Sequence, residues 1–290
     1  MTDPKDPELR IAKLLDPGTN HLITERDQSG MLAARGKIKG NEVVVFASDP
    51  TVQGGALGPD GAKVIVKAYK VAMVEQIPVI GIWHSGGARL RDGVLSLHAF
   101  GEVFQSFITA SGKIPQLSLV LGPTAGGGAY GPALTDVVVL APEGRIFVTG
   151  PDVVKSVTGE NVDMEKLGGP EAHKKNSGLT HIIATTEDEA FEDIRVLTSL
   201  FANQGHIDVK LKDTDLAPHV PESRKRIYEV HPLIENLLDP DERLELHSDW
   251  APNMLTSLGR LGGRTVGVVA NNPKHIGGVL DAAAGEKAAR

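Results

Sequence analysis

Apolar residues recur along the chain with two different periods. In PELRIAKLL, residues 7 to 15, charged and aliphatic positions alternate at helical spacing and predict a short amphipathic helix, part of an amino-terminal arm over residues 1–20. The period then shortens to two: GMLAARGKI (30–38) and NEVVVFASD (41–49) read as strands joined by a Lys39-Gly40-Asn41 turn, a hairpin. Beyond Gly54-Gly55 the spacing predicts a helix from about 62 to 74, the strand PVIGIWHS (78–85), a helix from about 94 to 110 and the strand QLSLVLG (116–122). A helical segment from 126–128 to about 134 follows, then the apolar run DVVVLAP (136–142) and the strand RIFVTG (145–150). Short, continuously apolar strands that alternate with crossover helices imply an α/β fold with a parallel sheet buried on its faces. After Gly150 the pattern turns more helical, with PDVVKSVTG (151–159), a loop rich in Gly168, Gly169 and Pro170, then THIIAT (180–185) and a long helix from about 187 to 202. The acidic start of that helix suits its dipole. Residues 204 to 249 are polar and proline-dotted, which predicts a surface excursion before the strand RTVGVVANN (264–272). Periodicity shows no tandem repeat. The last residues, GEKAAR, are strong helix formers in a run too short to be stable alone, as expected of one half of a larger assembly.

Composition narrows the class. A chain of 290 residues, 41% hydrophobic and 23% charged, can bury a full core as one large or two small globular domains. The net charge of -7 argues against nucleic-acid binding, which needs a basic surface. Without cysteine there is no thiolate zinc site, disulfide or cysteine nucleophile, compatible with a reducing cytosol. MTDPKDPELR has no apolar core, so neither a secretory signal nor a membrane anchor is expected, and a cytoplasmic location is.

Three consecutive glycines interrupt LVLGPTAGGGAYGPAL (119–134) between a strand and a helix. Bare backbone at such a junction exposes N–H groups and lets a ligand approach, so Gly126 and Gly127 are candidate donors to an oxyanion. HSGGARL (84–90) is a second strand-glycine junction and adds the Arg89 guanidinium, suited to phosphate. Close helix-to-strand packing is the plainer reading of either cluster; two in one sheet favour a site for an anionic, carbonyl-bearing ligand. Neither cluster fits GxGxxG or GxxxxGK[ST]. Ser85 as a nucleophile finds little support, because His84 and Ser85 point to opposite faces of a strand and no G-x-S-x-G elbow exists. His173, His181, His206, His219 and His231 lack His-x-x-x-His spacing, which argues against a metal. Lys174-Lys175 and Arg224-Lys225-Arg226 read as solvated faces.

Several stretches in order resemble the amino-terminal half of a biotin-dependent acyl-CoA carboxylase carboxyltransferase (β) chain: ERDQSGMLAARGKI, TVQGGALGPDGAKV, PVIGIWHSGGARLRDGV, GPTAGGGAYGPALTD, VTGPDVVKSVTGENVDMEKLGGPEAHKKNSG and GRTVGVVANNP. They cover nearly the whole chain, and IWHSGGARL, AYGPALTDVVV and NQGHID are similar to actinobacterial acetyl/propionyl-CoA carboxylase β chains that feed fatty-acid synthesis. The resemblance implies a crotonase-like ββα superhelix and carboxyl transfer from carboxybiotin to the α-carbon of an acyl-CoA, giving malonyl- or methylmalonyl-CoA. It implies that the N–H groups of Gly126 and Gly127 hold the thioester oxygen as the α-proton leaves. Ser85, Gly86, Gly87 and Arg89 would lie along the CoA arm or its phosphates, with Gly54, Gly55 and Ala56 in a first helix turn, and Ala125, Gly128 and Tyr130 close by.

The resemblance also implies partners: a biotin carboxylase, a biotin carboxyl carrier protein whose biotin is the only cofactor, and a carboxy-terminal carboxyltransferase half that this chain of one domain, 1–290, lacks. A homo- or hetero-oligomer is expected. Two other readings stay open: a CoA-thioester binding half-module without turnover, and an autonomous crotonase-type hydratase, isomerase or decarboxylase, the hydratase weakened by the lack of a glutamate pair near either turn. Valine at Gly126 or Gly127 is expected to abolish turnover by filling the oxyanion position.

Overall fold

A computed structural model describes residues 3–207, 214–223 and 226–290. Arg224 and Lys225 of the basic cluster, and Asp208 of NQGHID, lie outside the described residues. The amino-terminal helix α1 (Pro7–Leu14) starts where the Asp6 carboxylate accepts the Glu8 N–H, and it buries Ile11 and Leu14. A two-residue strand β1 (His21–Leu22) leads into the predicted hairpin, β2 (Met31–Ile38) and β3 (Asn41–Ser48). Helix α2 (Pro59–Glu75) begins with proline in its first turn, three residues earlier than the apolar period shows. Strand β4 (Val79–Ser85), helix α3 (Val94–Ala110), strand β5 (Gln116–Ala125), helix α4 (Gly127–Ala133) and strand β6 (Val137–Leu140) alternate as expected. A short β7 (Arg145–Phe147) pairs with the last three residues of β5, extending that strand past the predicted end at Gly122.

Three short helices follow, α5 (Pro151–Thr158), α6 (Met164–Gly168) and the single turn α7 (Pro170–Ala172), then β8 (Ile182–Ile183) and the long α8 (Glu187–Ala202). In the main sheet the order is β1-β2-β3-β4-β5-β6-β8. Pairing is antiparallel up to β3 and parallel from β3 to β8. Both faces are covered. On one side Phe46, Trp83, Tyr69 and Phe107 interlock ring against ring beneath α2 and α3. On the other, Ile80, Ile82, Leu117 and Leu119 pack against Ile11 of α1 and Ile194 and Leu197 of α8. The parallel strands read as unbroken apolar runs because neither face meets water.

The expected surface excursion over 204–249 is corrected: among its described residues it holds α9 (His231–Leu237) and β9 (Arg243–Leu246). Val230, Ile234 and Leu238 are buried there against Leu255 of β10 (Met254–Leu261). Strand β10 joins β9 and β11 (Arg264–Asn271) in a second, antiparallel sheet. The closing GEKAAR forms most of α10 (Ala282–Ala289). Tertiary contacts supply what its length cannot: Asp281 caps it, and Lys287, 1% exposed, donates to the carbonyls of His247 at 2.8 Å and Trp250 at 2.9 Å.

Two distant segments of the chain are alike without forming a tandem repeat. At constant spacing, Met31-Leu32 matches Met254-Leu255, Gly36 matches Gly259, Gly40 matches Gly263, Pro50 matches Pro273, and Gly54-Gly55 matches Gly277-Gly278. The hairpin registers match too: Met31 opposes Ser48 and Ile38 opposes Asn41, while Met254 opposes Asn271 and Leu261 opposes Arg264. The turns that follow share their backbone, with φ of 52°, 64° and 72° at Gln53, Gly54 and Gly55 and 40°, 68° and 71° at Ile276, Gly277 and Gly278. Each turn leads into a helix, α2 or α10. The second ββ-turn-α unit thus copies the first in geometry, with different neighbours.

Candidate active site

Three of the glycine-rich segments meet at the carboxyl ends of β4 and β5. The Gln53–Gly55 turn leans on the end of β4: Gly86 donates its N–H to the Gly54 carbonyl at 2.8 Å and Leu57 donates to the Gly87 carbonyl at 2.8 Å. A Cβ on Gly55 would stand 2.0 Å from the His84 carbonyl oxygen, and one on Gly87 2.7 Å from the Ala125 carbonyl oxygen and 3.6 Å from the Gly126 Cα. Packing therefore requires bare backbone at both positions, and that same packing brings residues 54–56, 85–89 and 125–128 together.

The buried Ser85 hydroxyl donates to the Gly55 carbonyl at 2.8 Å and accepts the Gly87 N–H at 3.2 Å. Arg89 turns inward, and its Nη2 donates to the carbonyls of Ser29 at 2.8 Å and Ala56 at 3.2 Å, instead of offering its charge to a phosphate. Both side chains tie the turn to the strand. Ala56 follows a single 3-10 turn and precedes α2, so it is not in the first turn of that helix. HSGGARL lies between β4 and α3, which starts at Val94 as the sequence predicts, but the amides of Gly86 and Gly87 are engaged.

At the triple glycine the pairing of β7 decides which amides are free. Gly126 donates its N–H to the Phe147 carbonyl at 3.1 Å, continuing the β5–β7 ladder. It is therefore not an available donor, and the sequence expectation for Gly126 is corrected. The N–H groups of Gly127 and Gly128, the first two residues of α4, have no partner among the described residues, nor does that of Ala88. Sequence reading missed Ala88, and no local signal marks it: only the Leu57–Ala88 bridge, which engages its neighbours Gly87 and Arg89, shows that its own N–H turns the other way.

Packing accounts for the remaining bareness of the cluster. A Cβ on Gly127 would meet the Phe100 ring at 2.9 Å, one on Gly128 the Ser85 Oγ at 3.0 Å, and one on Gly131 the Trp83 ring at 2.4 Å. A valine at Gly127 would thus collide with Phe100 and not fill the space before the amide. Tyr130 is exposed on α4 with its ring 5.9 Å from that of Phe104.

A cavity of about 330 Å³ opens beside these turns, lined by Gly54, His84, Ser85, Gly86, Ala125 and Phe147, with Gly150 to Val153 at the start of α5 and Met164 across it. A larger surface cavity of about 690 Å³, walled by residues 22–27 and by Asp60, Lys63, Val64 and Lys67, shares no residue with it. Leu90, Val94, Leu95 and Leu97, which follow the glycines of HSGGARL in the chain, are exposed, as are Val153, which lines the smaller cavity, and Val157 of α5, a helix that buries no residue.

The histidines divide. His231 sits between Glu229 at 2.7 Å and Glu245 at 3.0 Å. His173 bonds Ser177 and the Ile146 carbonyl, while the His181 ring lies tilted against that of His247, their centres 4.5 Å apart. His206 is exposed and His219 half-buried. Among the described residues no three His, Asp or Glu side chains are grouped to hold a metal ion. Lys174 and Lys175 pair with Glu171, and Lys174 also with Asp249. No helix among the described residues is long and apolar enough to cross a membrane.

Comparison with known proteins adds the lineage of this geometry. The family model described as carboxyl transferase domain matches residues 14–290. The biotin-dependent acetyl-/propionyl-coenzyme A carboxylase beta6 subunit of Mycobacterium tuberculosis (strain ATCC 25618 / H37Rv) is 54% identical over 99% of this chain and 62% of that protein. The propionyl-CoA carboxylase beta chain of Rhodococcus erythropolis is 52% identical over 100% of this chain and 62% of its own length. In the solved structures, the transcarboxylase 12S hexamer with hydrolysed methylmalonyl-coenzyme A bound matches with a TM-score of 0.91 at 33% identity, over 98% of this chain and 61% of that one. The chain therefore spans about three fifths of the length of these relatives. Its α/β architecture is the crotonase-like ββα superhelix expected from sequence.

Proposed function

The chain belongs to the carboxyl transferase domain family, and from that premise we propose that it is the acyl-CoA side of a biotin-dependent acetyl/propionyl-CoA carboxylase β subunit. The observation that carries this reading is the set of unpartnered backbone amides at Ala88, Gly127 and Gly128, beside a cavity at the strand ends. When a thioester loses its α-proton the negative charge settles on the carbonyl oxygen. Fixed N–H donors aimed at that oxygen stabilise the enolate more than the ester, each worth about 10²–10³ in rate. The enolate α-carbon then bonds to the carbon of CO₂ released by cleavage of the donor's N–C bond, opening one C=O to a carboxylate and giving malonyl- or methylmalonyl-CoA, and the α-proton would pass to the donor nitrogen that the CO₂ left. No side-chain acid, base or nucleophile is needed from this chain for that role.

Biotin supplies the carboxyl group in such enzymes and is carried by a partner protein. The free amides of Ala88, Gly127 and Gly128 are assigned to the thioester oxygen, the biotin carbonyl is left to the other half, and no step is derived through it. A carboxy-terminal half, a biotin carboxylase and a carrier protein complete the reaction in this reading, in the cytoplasm. The exposed apolar residues at the start of α3 and on α5, Leu95, Leu97 and Val157 among them, support a surface covered by that other half in an oligomer.

Reconstitution with the remaining part of the β subunit and assay of carboxyl transfer from a biotin adduct to propionyl-CoA tests the proposal. Transfer that requires both parts supports it. Turnover of an enoyl-CoA or malonyl-CoA by this chain alone would instead establish an autonomous crotonase-type enzyme, and thioester binding without transfer in the reconstituted protein a binding module.

A further inference from the structure

His84 lines the cavity, yet no hydrogen bond within the chain uses its ring. Its neighbours on β4 turn the other way: Trp83 enters the aromatic core under α2 and α3, and Ser85 bonds the Gly55 carbonyl. The His84 backbone is clamped by the buried Ser48, whose hydroxyl accepts the His84 N–H at 2.8 Å and donates to its carbonyl at 3.0 Å. The ring lies flat against Gly122, where a Cβ would stand 2.3 Å from Nδ1 and 2.4 Å from Cε1. So Gly122 is the seat of the imidazole, and the ring is held in one place.

Nδ1 is buried and has no partner. The ring as a whole is partly exposed and borders the cavity, which leaves Nε2 as the nitrogen that reaches it. Burial, reinforced by the positive charges of Arg10 and Lys5, lowers the ring pKa to about 4, so the imidazole is neutral at physiological pH. A neutral ring carries one proton, and a buried N–H without an acceptor is costlier than a lone pair without a donor. The proton therefore belongs on Nε2, facing the cavity.

We propose that His84 is a substrate-contacting residue whose Nε2–H donates a hydrogen bond to a carbonyl oxygen of the acyl-CoA held beside the glycine turn. This rests on the acyl-CoA reading above. The acceptor is either an amide carbonyl of the pantetheine arm or the acyl carbonyl itself. A fixed neutral donor binds such an oxygen without adding a charge to the pocket. His84→Phe keeps a flat ring against Gly122 and removes the donor; His84→Gln restores a neutral N–H donor.

The test is calorimetric titration of the 290-residue chain with propionyl-CoA and with CoA alone, beside ¹⁵N imidazole spectra of the wild type. The Phe variant should bind the thioester about three- to tenfold more weakly, and the Gln variant should recover most of the loss. Weakening shared by CoA alone assigns the acceptor to the arm; weakening confined to the thioester assigns it to the acyl carbonyl. The spectra should show the proton on Nε2 and a shift of its resonance when the thioester is added. Equal affinity of wild type and Phe variant, a proton on Nδ1, or an unmoved resonance overturns the proposal and leaves the acyl-CoA reading standing. Wild type that binds no thioester overturns both. If the Phe variant does not fold, the Gln variant and the spectra decide.

Discussion

At the scale of single residues, the site depends on which backbone groups are already spent. Gly126, with φ 54° and ψ −128° and its N–H given to Phe147, positions the turn. In the proposed site Gly127 and Gly128 present the donors. Alanine at Gly126 would be strained whatever space it had, so Gly126→Ala should lower the melting temperature. Gly128→Ala has no such strain, but its Cβ would meet the Ser85 Oγ at 3.0 Å, the Ser85 Cβ at 3.1 Å and the Thr124 Cγ2 at 3.6 Å. Alanine keeps the backbone N–H, so the substitution should lower the melting temperature by pressing on Ser85 and change kcat of the reconstituted enzyme less than about tenfold, read from steady-state kinetics. Ser85→Ala strips partners from the Gly55 carbonyl and the Gly87 amide. A loss of about 1–3 kcal/mol in denaturant unfolding and a modest fall in rate are expected. Complete loss of activity with normal thioester binding would instead restore Ser85 as a nucleophile. The glycine clusters were legible because bare backbone stands out in a sequence. Which amides they leave free was not, since that depends on β7 pairing with Pro123 to Ala125 from some twenty residues downstream.

Among the elements, the joint between α10 and the body shows how burial outweighs intrinsic propensity. Lys287 is buried with its pKa lowered to about 8 by desolvation, and it bonds two carbonyls beside the His181–His247 pair. Arg290 lies over the Trp250 ring. Lys287→Ala removes those bonds, and α10 amides should then exchange with solvent at least tenfold faster, measured by hydrogen exchange. Burial depresses His247 to about 4, with repulsion from Lys287 and Arg290 adding to it, and His181 to about 3. Because the unfolded chain binds these protons near pH 6.5 and the folded chain does not, the stability they carry is complete above that pH. It is lost as pH falls from about 6.5 toward 3, by on the order of 3 kcal/mol for each histidine. Urea unfolding across that range should show the slope, and His247→Gln should flatten it. The main sheet was legible because its strands are apolar without interruption. The segment over 204–249 was not: α9 is a seven-residue helix beginning His231-Pro232, and β9 reads RLEL, so neither is long enough to declare a period.

For the whole molecule, the duplicated ββ-turn-α unit is the main lesson. Strand β3 takes β4 on its outer edge in parallel, Val44 against Val79, and is buried along most of its length. Its copy β11 has no strand on that edge among the described residues and alternates exposed and half-buried positions. The repeat escaped a search for period because only a residue-by-residue comparison of MLAARGKIKG with MLTSLGRLGG reveals it. In longer relatives about two fifths of the length lies outside the matched part. A polypeptide supplying that remainder should slow hydrogen exchange along β11, and unchanged exchange would contradict the proposed assembly. The central claim is that backbone amides hold the thioester oxygen, and isotope-edited infrared spectroscopy of ¹³C-carbonyl propionyl-CoA bound to the chain tests it most directly. Donation from Gly127 and Gly128 predicts a carbonyl band at lower frequency than that of the ester in water. A band at or above the frequency of the ester in water would contradict it.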